Sequence, residues 1–242
     1  MKSFIRTLYA MALLLCALEV AQAGITINGT RVIYPAPQRE VTLSMVNDGR
    51  EARLIQVWVD AGNASERPEN SSAPFMISPP MARIDPGKGQ TLRIMFTGAD
   101  LPQDRETLFW LNVLEIPPKP KAEDDMNYMQ LAVRSRMKIF YRPKGLEGTP
   151  DQAIGQLSWR IKPGPHGYEA ECTNPTSFHV SFSDLRFKNT PLKLSVNKGG
   201  MCPPKGSATV SITGKPDTTG KLIVTVINDW GGFNEHDANY TR

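Results

Sequence analysis

Beyond its first twenty or so residues the chain has no run of helical period, which limits it to folds built from strands. Short segments alternate apolar and polar side chains, the pattern of a strand with one buried face. They fall at 25–34, 41–46 and 91–96, with further strand-like segments at 54–59 and 75–77 and, rich in aromatic and branched residues, at 107–116. Turn chemistry separates them, as in Pro35-Ala36-Pro37, Asn47-Asp48-Gly49, Asp85-Pro86-Gly87 and Pro117-Pro118. A hinge-like stretch at 142–152 carries Pro143, Gly145, Gly148 and Pro150. Strand-like segments then resume at 154–161, 168–173, 178–187, 192–196, 207–213 and 221–227. Strands this short, at this spacing, predict an all-β chain of two β-sandwich domains, 24–145 and 146–242. Because 13 residues follow Asp229, a short or frayed last strand is expected.

The longest alternation runs from Met129 to Pro143. Its odd positions (Met129, Leu131, Val133, Met137, Ile139, Tyr141) are apolar or aromatic, with Ser135 the exception. Gln130, Arg134, Arg136 and Lys138 occupy the even face. Fully extended, this stretch reaches about 50 Å, far beyond a mean strand of about 5–6 residues. Its front part, 129–133, is therefore expected to outrun its own sheet. An exposed apolar edge is a template for pairing with another chain.

Residues 1–23 are not part of that fold. Lys2 and Arg6 precede an apolar run at 8–18, and Ala21-Gln22-Ala23 closes it, the signature of a secretory signal peptide cleaved before Gly24. The run is too short to span a bilayer, and Glu19 interrupts it. Without Lys2, Arg6 and Glu19 the formal charge falls from +4 to +3, too little to argue for nucleic acid. Cys172 and Cys202 are then the remaining cysteines, and an even pair in an exported chain favours a disulfide over two buried thiols.

Enzymatic signatures are missing. His166, His179 and His236 match no metal-binding spacing, and no G-x-S-x-G occurs. Glu123, Asp124 and Asp125 read as a solvated loop, because nothing nearby would bury a carboxylate and raise its pKa. No catalytic residue, cofactor, metal or small-molecule substrate is expected. What remains is a binding protein.

One segment makes that reading specific. The run 101–118, LPQDRETLFWLNVLEIPP, closely resembles the signature of the periplasmic chaperones of the chaperone–usher pathway, which assemble pili. The likeness continues in PPMARIDPG at 79–87, MKIFYRP at 137–143 and INDWG at 227–231. It implies two immunoglobulin-like domains arranged as a boomerang in the periplasm. It also implies donor-strand complementation: the last strand of the first domain is lent to a fimbrial subunit that lacks one, which then passes to an outer-membrane usher. The lent side chains would be Met129, Leu131 and Val133. Arg31 and Lys138 match the pair that anchors the subunit's C-terminal carboxylate. Glu106, Arg142 and Asp229 match an interdomain charge network. The short loop at 117–127, unflanked by cysteines, resembles the branch that generally serves rod-like pili. The empty protein's exposed strand would also be available for self-association. The alternative is a fimbrial subunit or adhesin of the same fold, disfavoured because 24–30 is too short for a donor segment of its own.

Overall fold

The computed structural model describes residues 24–119, 129–165, 167–188, 199–212 and 219–242. The signal segment, His166, the acidic cluster at 123–125 and the strand expected at 192–196 lie outside these residues.

Among the described residues the first half holds nine strands: β1 (Ile25–Ile27), β2 (Arg31–Pro35), β3 (Val41–Asn47), β4 (Arg53–Asp60), β5 (Phe75–Ser78), β6 (Met81–Ile84), β7 (Gly89–Phe96), β8 (Thr107–Ile116) and β9 (Val133–Arg142). They form one sheet in the order β1-β3-β7-β5 and another in the order β2-β9-β8-β4-β6. The inward positions of both sheets make a single core, among them Tyr34, Met45, Ile55, Leu92, Leu111 and Ile139. Tyr34 lies at its end, stacked on Tyr141 at 5.9 Å, with its hydroxyl donating to the Arg39 carbonyl and accepting from the Phe96 N–H.

The single strand expected at 25–34 is in fact two, in different sheets. Gly29, at φ +126°, turns the chain from one layer to the other, a conformation that side chains disfavour. The split starts β2 at Arg31, and the site described below depends on that position.

The second half begins with a short helix, α1 (Pro150–Ile154), where a hinge and the start of a strand were expected. Thr149 caps it through its side chain, accepting the Gln152 N–H at 3.2 Å, and Pro150 opens its first turn. Then follow β10 (Ser158–Gly164), β11 (Gly167–Asn174), β12 (Val180–Phe187), β13 (Gly200–Cys202), β14 (Gly206–Ile212), β15 (Thr219–Ile227) and β16 (Phe233–Thr241). Their order is β13-β12-β15-β16-β10-β11-β14. Two parallel pairings, Trp159 with Tyr240 and Arg160 with Thr241, join the two layers around one core. The last strand is neither short nor frayed: β16 pairs with β15 from Phe233 to Thr241. The tight turn at 228–232 makes this possible, with Gly231 at φ +83° and the Asn228 side-chain oxygen accepting from Trp230 and Gly232.

Cys172 and Cys202 form a disulfide between buried positions on β11 and β13, 30 residues apart. A closed loop of that length restricts the unfolded chain, a contribution of about 2–4 kcal/mol. The double substitution Cys172→Ala, Cys202→Ala should therefore lower the unfolding free energy of the second core by that amount, read as a lower urea midpoint. An unchanged midpoint would mean that β-pairing alone holds β13 in place.

Candidate functional site

The site is built on β9 and on what pairs with it. On one side β8 pairs along the whole strand, from Thr107 opposite Tyr141 to Glu115 opposite Val133. On the other side β2 runs parallel and pairs only from Arg31 opposite Lys138 to Pro35 opposite Arg142. Among the described residues, the stretch 133–137 thus has a strand on one side only. Its other edge offers unpaired backbone groups, and that free edge stops where Arg31 meets Lys138.

The strand was expected to begin at Met129, and it begins at Val133. Its one neighbour gives out there: β8 ends at Ile116, and Pro117 and Pro118 have no N–H to donate. A side chain holds the preceding segment instead, with Gln130 Nε2 donating to the carbonyls of Pro117 and Pro118, each at 2.9 Å. Met129, Leu131 and Val133 are 87 %, 72 % and 56 % exposed, while Met137 and Ile139 further along are buried in the core.

The even face of β9 carries cations lying over tryptophans. The Arg136 guanidinium sits 4.1 Å above the Trp110 ring and pairs with the buried Asp60 carboxylate. Burial would raise the Asp60 pKa, but hydrogen bonds from Arg136, Asn112 and the Gly62 N–H outweigh it and hold the group below its usual value. Arg134 reaches over Trp58 and donates to the Ala64 carbonyl at 2.7 Å. These contacts lean away from the free edge and fix the strand from behind.

Arg31 and Lys138 are direct cross-strand partners, and their heads meet the second half of the chain. Arg31 Nη1 donates to the Ile227 carbonyl at 2.9 Å, and Lys138 Nζ to the Ser181 hydroxyl at 3.0 Å. Burial, and then the charge of Arg31, push the Lys138 ammonium down to about 8. Burial also lowers the Arg31 pKa, against the opposing charge of Asp229. Two partly dehydrated like charges side by side are a place that an incoming anion relieves.

Glu106, Arg142 and Asp229 also come together. Arg142 Nε donates to Glu106 Oε1 at 2.7 Å, and its two terminal nitrogens to Asp229 at 2.8 and 3.2 Å. Burial opposes the Arg142 cation, but the two carboxylates more than offset it, so its pKa is raised. Sequence reasoning missed the rest of this junction. The His179 N–H and ring Nδ1 lie 2.7 and 3.1 Å from Glu106 Oε2, and the Glu106 N–H donates to the Ser177 carbonyl at 2.9 Å. Lys205 pairs with Asp104 at 2.7 Å. From the sequence His179 matches no metal-binding spacing and reads as an ordinary histidine. Nothing local announces a partner 73 positions away for Glu106.

Residues 24–147 match the family described as "Pili and flagellar-assembly chaperone, PapD N-terminal domain", and residues 152–238 match its C-terminal domain counterpart. The chain belongs to the pilus-assembly chaperone family. Members of this family bind and assist folding; they are not enzymes. Among its curated relatives is "Chaperone protein FimB/FhaD" of Bordetella pertussis, 42 % identical over 94 % of this chain and 92 % of that one. "Probable fimbrial chaperone YadV" of Escherichia coli is 40 % identical over 89 % of each. The crystal structure of a YadV chaperone superimposes with a TM-score of 0.75 at 37 % identity, over 90 % of this chaperone and 100 % of that chain. The SafB chaperone, solved in complex with the Salmonella enterica SafA pilin, gives 0.76 at 29 % identity, over 93 % of this chaperone and 99 % of that chain.

Proposed function

We propose that this protein works in the periplasm, after removal of residues 1–23, as a chaperone that lends β9 to incomplete fimbrial subunits and hands them to an outer-membrane usher. The observation that carries this reading is the free edge at 133–137 ending at Arg31 and Lys138. A guest whose C-terminal carboxylate rests on those two cations, and whose backbone follows that edge, must run parallel to β9. It then lies in line with β2, stopping where β2 begins. Backbone bonds supply affinity, and alternate side chains supply register. Met129, Leu131 and Val133 enter the guest's gap, each contributing about 1.5–3 kcal/mol on burial, less the cost of association. The anchor decides which of them meets which pocket, because a one-residue slip turns every apolar side chain to the wrong face.

In this reading the working units are 24–145 and 146–242, and the Glu106–Arg142–Asp229 network sets the angle between them. SafB held in complex with the SafA pilin supports the choice of guest. No nucleotide is needed, since a guest completed by a borrowed strand gains further by exchanging it for the next subunit's own. A fimbrial subunit reading is not favoured, as the curated relatives are named chaperones over most of their length.

The test is Leu131→Glu. The side chain is exposed, so the purified variant should unfold within about 0.5 kcal/mol of the wild type. Capture of a denatured fimbrial subunit during refolding should fall by tenfold to a hundredfold, the burial term above expressed as an equilibrium constant. Undiminished capture would show that this segment does not enter the guest.

A further inference from the structure

The structure places a carboxylate against the first residue left by signal removal. A side-chain carbon built on Gly24 would come within 1.9 Å of Glu115 Oε1. By standard bond lengths, that puts the Gly24 nitrogen within about 4.4 Å of the same oxygen. The peptide that joins it to Ile25 is held at both of its polar groups, the Gly24 carbonyl accepting the Asp48 N–H at 3.0 Å and the Ile25 N–H donating to Glu115 Oε2 at 3.1 Å. Arg53 Nε lies 3.3 Å from Glu115 Oε1, and the Glu115 side chain is 16 % exposed.

We infer that the α-ammonium group released by cleavage before Gly24 docks on Glu115, so that processing itself completes an ion pair in the fold. The inference rests on the export reading above. In the precursor, the Gly24 nitrogen is a neutral amide with one hydrogen. Hydrolysis of the Ala23–Gly24 bond adds water, leaving a carboxylate on Ala23 and, once protonated, an ammonium on Gly24. That charge then lies within about 4.4 Å of a carboxylate.

The contact has consequences beyond the terminus. β1 belongs to one sheet of the first core and Glu115 to the other, so the pair ties the two layers together. Glu115 is also the cross-strand partner of Val133, where β9 begins. The pair therefore steadies the end of the sheet from which the lent segment emerges. A side chain at the first mature position would push the end of the Glu115 side chain aside and so disturb this pair.

The test starts from the mass of the protein exported to the periplasm. A terminus other than Gly24 would overturn both the cleavage reading and this inference. With Gly24 established, four proteins are compared by urea unfolding at pH 7. They are the exported chain and the same chain extended by Gly-Ser-Gly-Ser ahead of Gly24, each with and without Glu115→Gln. The substitution should raise the unfolding constant of the exported chain at least about threefold more than that of the extended chain. Equal effects in both, or none in either, would overturn the inference while leaving subunit capture untouched. Should Glu115→Gln fail to fold, the two chains that retain Glu115 decide it. The exported form should be the more stable at pH 7, and the difference should vanish by pH 10, where an α-amine of ordinary pKa near 8 is neutral. A difference that is absent at pH 7 or persists at pH 10 overturns it.

Discussion

Replacing Arg31 or Lys138 with alanine should reduce the capture of a subunit ending in a free carboxylate by tenfold to a hundredfold each. A charge-assisted hydrogen bond in a partly dehydrated site contributes about 1.5–3 kcal/mol. The empty protein should lose little. Lys138 is held below its ordinary pKa by burial and by Arg31, so its charge is a liability until an anion arrives. A Lys138→Met variant should match or exceed the wild type in urea stability while failing in capture.

The same group gives a pH dependence with two opposite signs. In the empty protein burial and then the charge of Arg31 push the Lys138 ammonium down to about 8, below its ordinary value of 10.5. Between those values the unfolded chain binds more protons than the folded one, so the empty protein gains stability as pH rises through that window. Capture moves the other way. A carboxylate bound at the site favours the charged amine, so affinity is flat below about pH 8 and falls above it, approaching tenfold per pH unit. Peptide probes with free and amidated C-termini separate this from general alkaline effects. If the amidated probe binds as well as the free acid, the anchor has been misassigned.

Removing Arg142 should damage the empty molecule far more than removing either anchor cation. Glu106 is almost fully buried and receives the Arg142 guanidinium, and Asp229 on the β15–β16 turn shares it. Loss of one member of a buried pair leaves the other as an uncompensated charge, at a cost of about 3–5 kcal/mol. Asp229 and Arg142 keep some solvent contact, so the lower end of that range is expected here. Arg142→Met should lower the urea midpoint accordingly and change the small-angle scattering profile as the two cores reorient. Asp229→Asn should cost less, because Arg142 keeps Glu106 and the His179 N–H stays on the same carboxylate. Should both variants scatter like the wild type, the network stabilises the junction without setting its angle.

What was legible in the chain alone was local. Period-two alternation marked 41–46 and 91–96 as strands, because the side chains of a half-buried strand must alternate whatever surrounds them, and aromatic and branched residues marked 107–116. It missed the short β6 at Met81–Ile84 and took 25–34 as a single strand. It could not see the helix at Pro150–Ile154, since five residues are too few to show a helical period. The family resemblance supplied Arg31, Lys138, Glu106, Arg142 and Asp229, but alternation by itself left Arg31 an ordinary strand charge.

Pairing was decided only in three dimensions. That β9 starts at Val133, that its free edge ends at Arg31, and that Glu106 meets His179 all depend on which strands lie side by side. Such neighbours are set by closure of two cores from segments far apart in the chain, and alternation within one segment carries no record of its neighbour. The sequence by itself determined which faces are apolar. The tertiary structure decided which edge was left without a partner.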